Sequence, residues 1–126
     1  MKILINIRHG GFGLSDEAFE CLIKHKGWVS TEYNEDGDLI NPDADIAINK
    51  KEDWNWRGKY DFGKLDQYDE DIRIDKDIIE VVEKLGNAAN GKYAELKVVI
   101  IPDDVKWQIE EYDGAEWIAE EHRTWS

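Results

Sequence analysis

Gly10, Gly11 and Gly13 follow an apolar run and precede a helical pattern, in the stretch Arg8-His9-Gly10-Gly11-Phe12-Gly13-Leu14-Ser15. Glycines between a strand and a helix let backbone N–H groups approach an anion at the helix N-terminus. The spacing is neither GxGxxG nor a P-loop, and no Lys-Ser/Thr pair follows. Nothing here is therefore built to hold a magnesium nucleotide for phosphoryl transfer. The competing reading is a tight strand-to-helix connection in which Ser15 caps the helix. Ser15 has no elbow motif around it, so a cap fits better than a nucleophile.

A second constellation closes the chain, Glu110 to Trp125, EEYDGAEWIAEEHRTW. Asp113-Gly114 is the strongest short hairpin signal present. A two-residue turn there sets Tyr112 opposite Ala115, Glu111 opposite Glu116, Ile109 opposite Ile118 and Lys106 opposite Glu121. Like charges directly opposite destabilise a sheet, so the Glu111–Glu116 pair needs an offset: a cation, an Arg, a shared proton or a ligand N–H. Otherwise both carboxylates splay into water. After the hairpin come His122, Arg123 and Trp125. Arg offers a planar fork for phosphate, Trp a stacking face, and His a group that titrates near neutrality. If they point one way, they make a kit for a purine nucleotide. The alternative is a strand end whose Trp caps the core and whose Arg pairs with a nearby Glu.

The two constellations are expected to converge on one ligand. Gly11 and Gly13 amides and Arg123 would meet phosphate, with Arg8, His9, Gly10, Ser15 and His122 at the margin. Trp125 or Phe12 would stack the base, and Glu116 would accept from an exocyclic amine. No metal or other cofactor is expected. Glu32 to Asp43 nearly matches a calcium loop but starts with Glu, ends with Asp and lacks flanking helical patterns. Three His and one Cys, scattered, make no zinc pattern. Cys21 falls mid-helix and reads as a small core residue.

These groups need elements to hold them. Lys2 to Arg8 alternates as a strand buried on much of both faces. Asp16 to Lys26 has helical spacing and Gly27 ends it. Trp28 to Tyr33 reads as a strand, with a hairpin turn at Asp36-Gly37. Asp75 caps a helix to Leu85, whose apolar stripe is Ile78, Ile79, Val82 and Leu85. Residues 94–101 form a strand that Pro102 stops, and 105–112 with 115–123 form the last hairpin. The order is β-α-(β hairpin, insertion)-α-β-β-β. That predicts an α+β domain, residues 1–126, with two helices on one face of a mainly antiparallel sheet containing the last three strands. Residues 34–71 read as a variable acidic and aromatic insertion that packs its rings on the core or stays mobile.

Composition sets outer bounds. A chain of 126 residues is one domain's worth and can bury a core without disulfides or metals. Hydrophobic residues at 41%, with 6 Trp, 5 Tyr and 3 Phe, argue for a folded globule rather than disorder. The net charge of -13 repels nucleic acid and anionic membranes, yet leaves room for one local basic pocket. Neither a signal peptide nor an apolar run of about 18 residues is evident, so no membrane association is expected. Six Trp are many for this length, and a small sheet leaves edges, so a homo-oligomer is expected.

The signatures GGFGLS near the N-terminus and EEYDGAEWIAEEHRTW near the C-terminus, with RIDKDIIEVVEKLG between them, resemble a family of small phage- and prophage-encoded proteins. The stretches Ile5 to Ala18, Arg73 to Gly86 and Ala94 to Trp125, about half the chain, carry the resemblance. It implies a lineage, a phage or mobile-element context and the cytoplasm of an infected bacterial host, and it implies no reaction. In that context a small acidic chain without a nucleophile–base or metal-ligand pattern is expected to bind, without turnover. The expected function is counter-defence by sequestering a small nucleotide-derived signal. An acidic protein–protein inhibitor or DNA mimic is the alternative, and a small nucleotide-processing enzyme a second.

Overall fold

β1 (Lys2–Asn6) is the central strand: in the computed structural model, which describes residues 1–120, Ile3, Leu4 and Ile5 are at most 3% exposed. Its one backbone ladder runs antiparallel to β5 (Leu96–Ile100), with Leu4 opposite Val98 and Asn6 opposite Leu96. Leu4, Leu96 and Val98 share one core with α1 (Asp16–Lys26) and α3 (Lys76–Leu85), through Phe19, Leu22, Ile78 and Val82. The fold is α+β.

Both long helices start and stop where their caps dictate. The Ser15 hydroxyl accepts the Ala18 amide at 3.1 Å, and Gly27, left-handed at φ 70°, donates to the Leu22 carbonyl. Asp16 and Glu17 in the first turn and Lys24 to Lys26 in the last complement the helix dipole. Asp75 accepts the Asp77 and Ile78 amides, and the Gly86 amide closes α3 on Val82. Just before it, the single turn α2 (Glu70–Arg73) is capped by Asp69 and delivers Arg73 into the interior. Among the described residues no helix is long and apolar enough to cross a membrane.

The last three strands do not share one ladder, contrary to expectation. β6 (Trp107–Tyr112) and β7 (Ala115–Glu120) form their own two-stranded sheet, and β5 has turned to β1. Pro102 lacks an amide, and the turn after it separates β5 from β6. Within the hairpin the register is the expected one, including Glu111 opposite Glu116 and Ile109 opposite Ile118. Asp113 (φ 50°) and Gly114 (φ 88°) are both left-handed, as a type I′ turn requires. Glu121, the expected partner of Lys106, lies outside the described residues.

Residues 34–71 are not an appendage. They carry β3 (Ile46–Ile48) and β4 (Tyr60–Phe62), and β2 (Ser30–Glu32) pairs parallel with β3 while β3 and β4 pair antiparallel. Ala44, Ile46 and Ala47 are fully buried. The expected hairpin at Asp36-Gly37 shrinks to a turn with a single Tyr33–Leu39 bridge. The Asn34 side chain accepts the Asp36 and Asp38 amides there, so a loop wins over a ladder.

Candidate functional site

The hairpin turn docks on the glycine loop. The Gly10 amide donates to the Asp113 carbonyl at 3.3 Å, and His9 Nδ1 lies 3.3 Å from the same oxygen. Asn6 Nδ2 donates to the carbonyls of Gly114 (2.8 Å) and Arg8 (2.7 Å). A Cβ on Gly114 would stand 2.6 Å from the Gly11 nitrogen, so only glycine permits this approach. The glycine loop therefore meets the turn of the last hairpin. The tail residues His122, Arg123 and Trp125 lie outside the described residues.

Glu116 is committed elsewhere than to a ligand. Its carboxylate takes a bidentate pair from Arg73, Nη1 to Oε1 at 2.6 Å and Nη2 to Oε2 at 2.8 Å, with both side chains buried. Oε1 also accepts the Asn6 amide at 2.8 Å, and Arg73 Nη1 reaches the Leu4 carbonyl at 3.3 Å. The ladder to β5 uses the odd-numbered residues of this stretch, as the Ile7–Glu95 and Ile101–Met1 bonds at its ends show. Leu4 and Asn6 therefore present their backbone groups at the other edge of β1. The ion pair satisfies that edge in place of a neighbouring strand. It also answers the like-charge problem in the hairpin: an Arg neutralises Glu116, while Glu111 turns to accept the Gly114 amide at 2.9 Å.

The glycine loop's open side forms one wall of a cleft of about 180 Å³. Gly10, Gly11, Phe12 and Gly13 line it, facing Trp56 and Arg57 from the 34–71 segment and Gly91, Lys92 and Tyr93 from the loop before β5. Phe12 is the floor rather than a free stacking face. It is 6% exposed, stacks near Phe62 at 6.4 Å, and carries the Arg73 guanidinium 3.7 Å from its ring centre. The rims carry the available rings: Trp56 is 56% and Tyr93 50% exposed. Each has its own cation, Arg57 at 4.6 Å over Trp56 and Lys92 at 5.5 Å over Tyr93. Lys92 Nζ donates to the Asn55 carbonyl at 2.6 Å, tying one rim to the other.

Backbone contacts hold the loops that build the cleft. The Gly91 amide donates to the Gly13 carbonyl at 2.9 Å, and a Cβ on Gly91 would sit 2.7 Å from the Gly13 carbonyl carbon. The Ser15 amide and hydroxyl bind the Ala89 and Ala88 carbonyls, so Ser15 anchors the loop rather than facing the cleft. Among the described residues, no acceptor meets the amides of Gly11, Phe12 or Gly13. Burial raises the Asp61 carboxyl above its ordinary value, partly offset by Asn49 and Arg57. Asp61 lies between inward-facing Tyr60 and Phe62 in β4, so strand alternation turns its side chain away from them, toward Tyr33 and Asn49.

Of the expected site residues, Gly10, Gly11, Phe12 and Gly13 line the cleft. Arg8 and His9 are exposed beside the hairpin turn, Ser15 is a cap, and Glu116 is half of a buried ion pair. Sequence reasoning passed over Arg73, Trp56, Arg57, Lys92 and Tyr93. The signal for Trp56 and Arg57 was the interleaving of rings and cations in residues 54–62. Nothing in the sequence near Lys92-Tyr93 marks that pair out. Among the described residues no group of three or more His, Cys, Asp or Glu is placed to hold a metal ion. Comparison with protein-family models, with curated proteins and with solved structures returns no match, so the reading of this site rests on its own geometry.

Proposed function

We propose that the protein is a binding protein that sequesters a small nucleotide-derived anion without turning it over, and that it serves counter-defence for a phage or mobile element. One observation carries the reading. In a chain of net charge -13, two cation-bearing aromatic rims, Trp56–Arg57 and Lys92–Tyr93, line one cleft together with a glycine loop. Exposed rings stack on a base, while guanidinium, ammonium and unengaged amides take a phosphate. The cleft, about 180 Å³, is smaller than the roughly 300–1,000 Å³ that encloses a drug-sized ligand, so it would enclose only part of a nucleotide, such as a base or a phosphate. The rest of the ligand would lie across the mouth.

The phage context rests on the signatures GGFGLS and EEYDGAEWIAEEHRTW, and the cytoplasm of an infected host goes with it. The proposal includes a homo-oligomer, supported by the exposure of Trp54 and Trp117 outside the cleft. The test is direct. The purified protein is incubated with a nucleotide extract of host cells, washed and denatured, and the released small molecules are weighed by mass spectrometry. Release of an unaltered phosphorylated nucleoside supports sequestration. Release of a chemically altered one makes the protein an enzyme. No release, together with no melting shift by any nucleotide, ends the nucleotide reading in favour of an acidic protein-binding role.

A further inference from the structure

We propose that the outer edge of β5 pairs antiparallel with β5 of a second copy of this chain, joining two β1–β5 ladders into one continuous sheet. This rests on the homo-oligomer reading above, adds the surface that makes it, and is independent of the nucleotide reading. The ladder to β1 engages the backbones of Glu95 and Ile101 and, by alternation, those of Lys97 and Val99 between them. Leu96, Val98 and Ile100 therefore turn their backbone groups to the opposite edge. Arg73 and Glu116 close the corresponding edge of β1. The edge of β5 has no such closure: among the described residues the amides and carbonyls of Val98 and Ile100 meet no partner. An edge of that kind is a template for another strand.

The open run is complementary to itself. The Leu96 amide already donates to Asn90 Oδ1 at 2.9 Å, and Pro102 has no amide. A two-fold axis through Val99 sets Leu96 of each copy opposite Pro102 of the other, so the ladder ends where neither amide can serve it. Between those ends Val98 stands opposite Ile100 of the second copy, twice by symmetry. Each such pair exchanges two N–H···O bonds, which engages every open amide and carbonyl of Val98 and Ile100. The side chains agree with this register. Ile100 is 74% exposed and would lie against half-buried Val98 of the second copy, with Val99 against Val99 on the other face. Lys97 is the one charged residue of β5, so two chains of net charge -13 meet there without opposed carboxylates.

The test is light scattering on the whole chain, joined to cysteine cross-linking. The wild type is expected to be a dimer at micromolar concentration. Ile100→Pro deletes an outward N–H on an exposed residue and spares the ladder to β1. It should weaken the dimer by about tenfold or more, for two lost bonds. In a Cys21→Ala background, Val99→Cys should form an intermolecular disulfide on mild oxidation, because facing residues of a non-bonded pair stand about 4.5 Å apart. Lys97→Cys should not, since strand rise puts it roughly 14 Å from its counterpart. A monomeric wild type would overturn this inference and the homo-oligomer reading together, and leave the nucleotide reading standing. A dimer unchanged by Ile100→Pro, or one that cross-links through Lys97→Cys and not Val99→Cys, would overturn the β5 pairing alone. Circular dichroism checks the fold of each variant, and the cross-linking decides the matter if Ile100→Pro fails to fold.

Discussion

At the scale of single residues, the Arg73–Glu116 pair decides more than any other contact. Both side chains are nearly fully buried and each also satisfies a backbone group of β1. Removing one partner leaves a buried charge, which costs about 3–5 kcal/mol. Glu116→Ala and Arg73→Ala are each expected to lower stability by that order in urea denaturation. Replacing both with apolar residues often restores a buried ion pair's stability. Here recovery should stay incomplete, because the Asn6 amide and Leu4 carbonyl would be orphaned, each at about 1–3 kcal/mol. A double variant as stable as the wild type would show that the pair does not close the edge of β1. The need for this pair was legible, since Glu111 opposite Glu116 demands an offset. Its source was not, because Arg73 is 43 residues away in sequence and nothing local announces the contact.

Asp61 belongs to the same scale. Burial raises its folded-state value above the unfolded one, so the folded protein holds the proton more tightly. Stability from this group is therefore greatest below its ordinary value and falls as pH rises toward its raised value. Asp61→Asn removes that dependence. The variant is expected to gain on the wild type in melting temperature as pH climbs through the mildly acidic range. A constant difference across that range would mean Asp61 titrates no differently in the folded state.

At the scale of elements, legibility followed the caps. α1 and α3 were readable to within a residue because Ser15, Gly27, Asp75 and Gly86 each make the bond their type favours. The last hairpin was readable because Asp113-Gly114 fixes its register. The β2–β3–β4 sheet was not, since each strand is three residues long and the β2–β3 pairing is parallel across an irregular loop. Periodicity needs a longer window than that. The same limit hid the cleft, which is assembled from three loops far apart in sequence. Two substitutions separate scaffold from site. Ser15→Ala removes a cap and should cost about 0.5–2 kcal/mol while sparing nucleotide affinity. Gly114→Ala should cost about 1–2 kcal/mol for its left-handed backbone alone, with more from the approach to Gly11. It should also speed hydrogen exchange at the Gly10 amide, whose acceptor is Asp113. Unchanged exchange there would mean that the turn does not hold the loop.

For the whole molecule, the net charge and the proposed ligand pull in opposite directions. A total of -13 repels a nucleotide at a distance, while Arg57 and Lys92 attract it at contact. Screening separates the two effects. Raising salt from roughly 10 mM to 150 mM shortens the Debye length from about 30 Å to about 8 Å. The long-range repulsion then fades across the approach path, and the short contacts in the cleft lose less. The association rate of a nucleotide is thus expected to rise over that range, the reverse of steering by a basic protein. The dissociation rate should rise as well, as the phosphate contacts are partly screened. Arg57→Ala should speed dissociation severalfold at either salt, while the association rate keeps its upward trend. Stopped-flow measurement on the Trp fluorescence, with Trp56 at the rim as the reporter, gives both rates. A rate of association that falls steeply with salt would mean that the local cations dominate at long range. In that case the acidic shell plays no part in admitting the ligand.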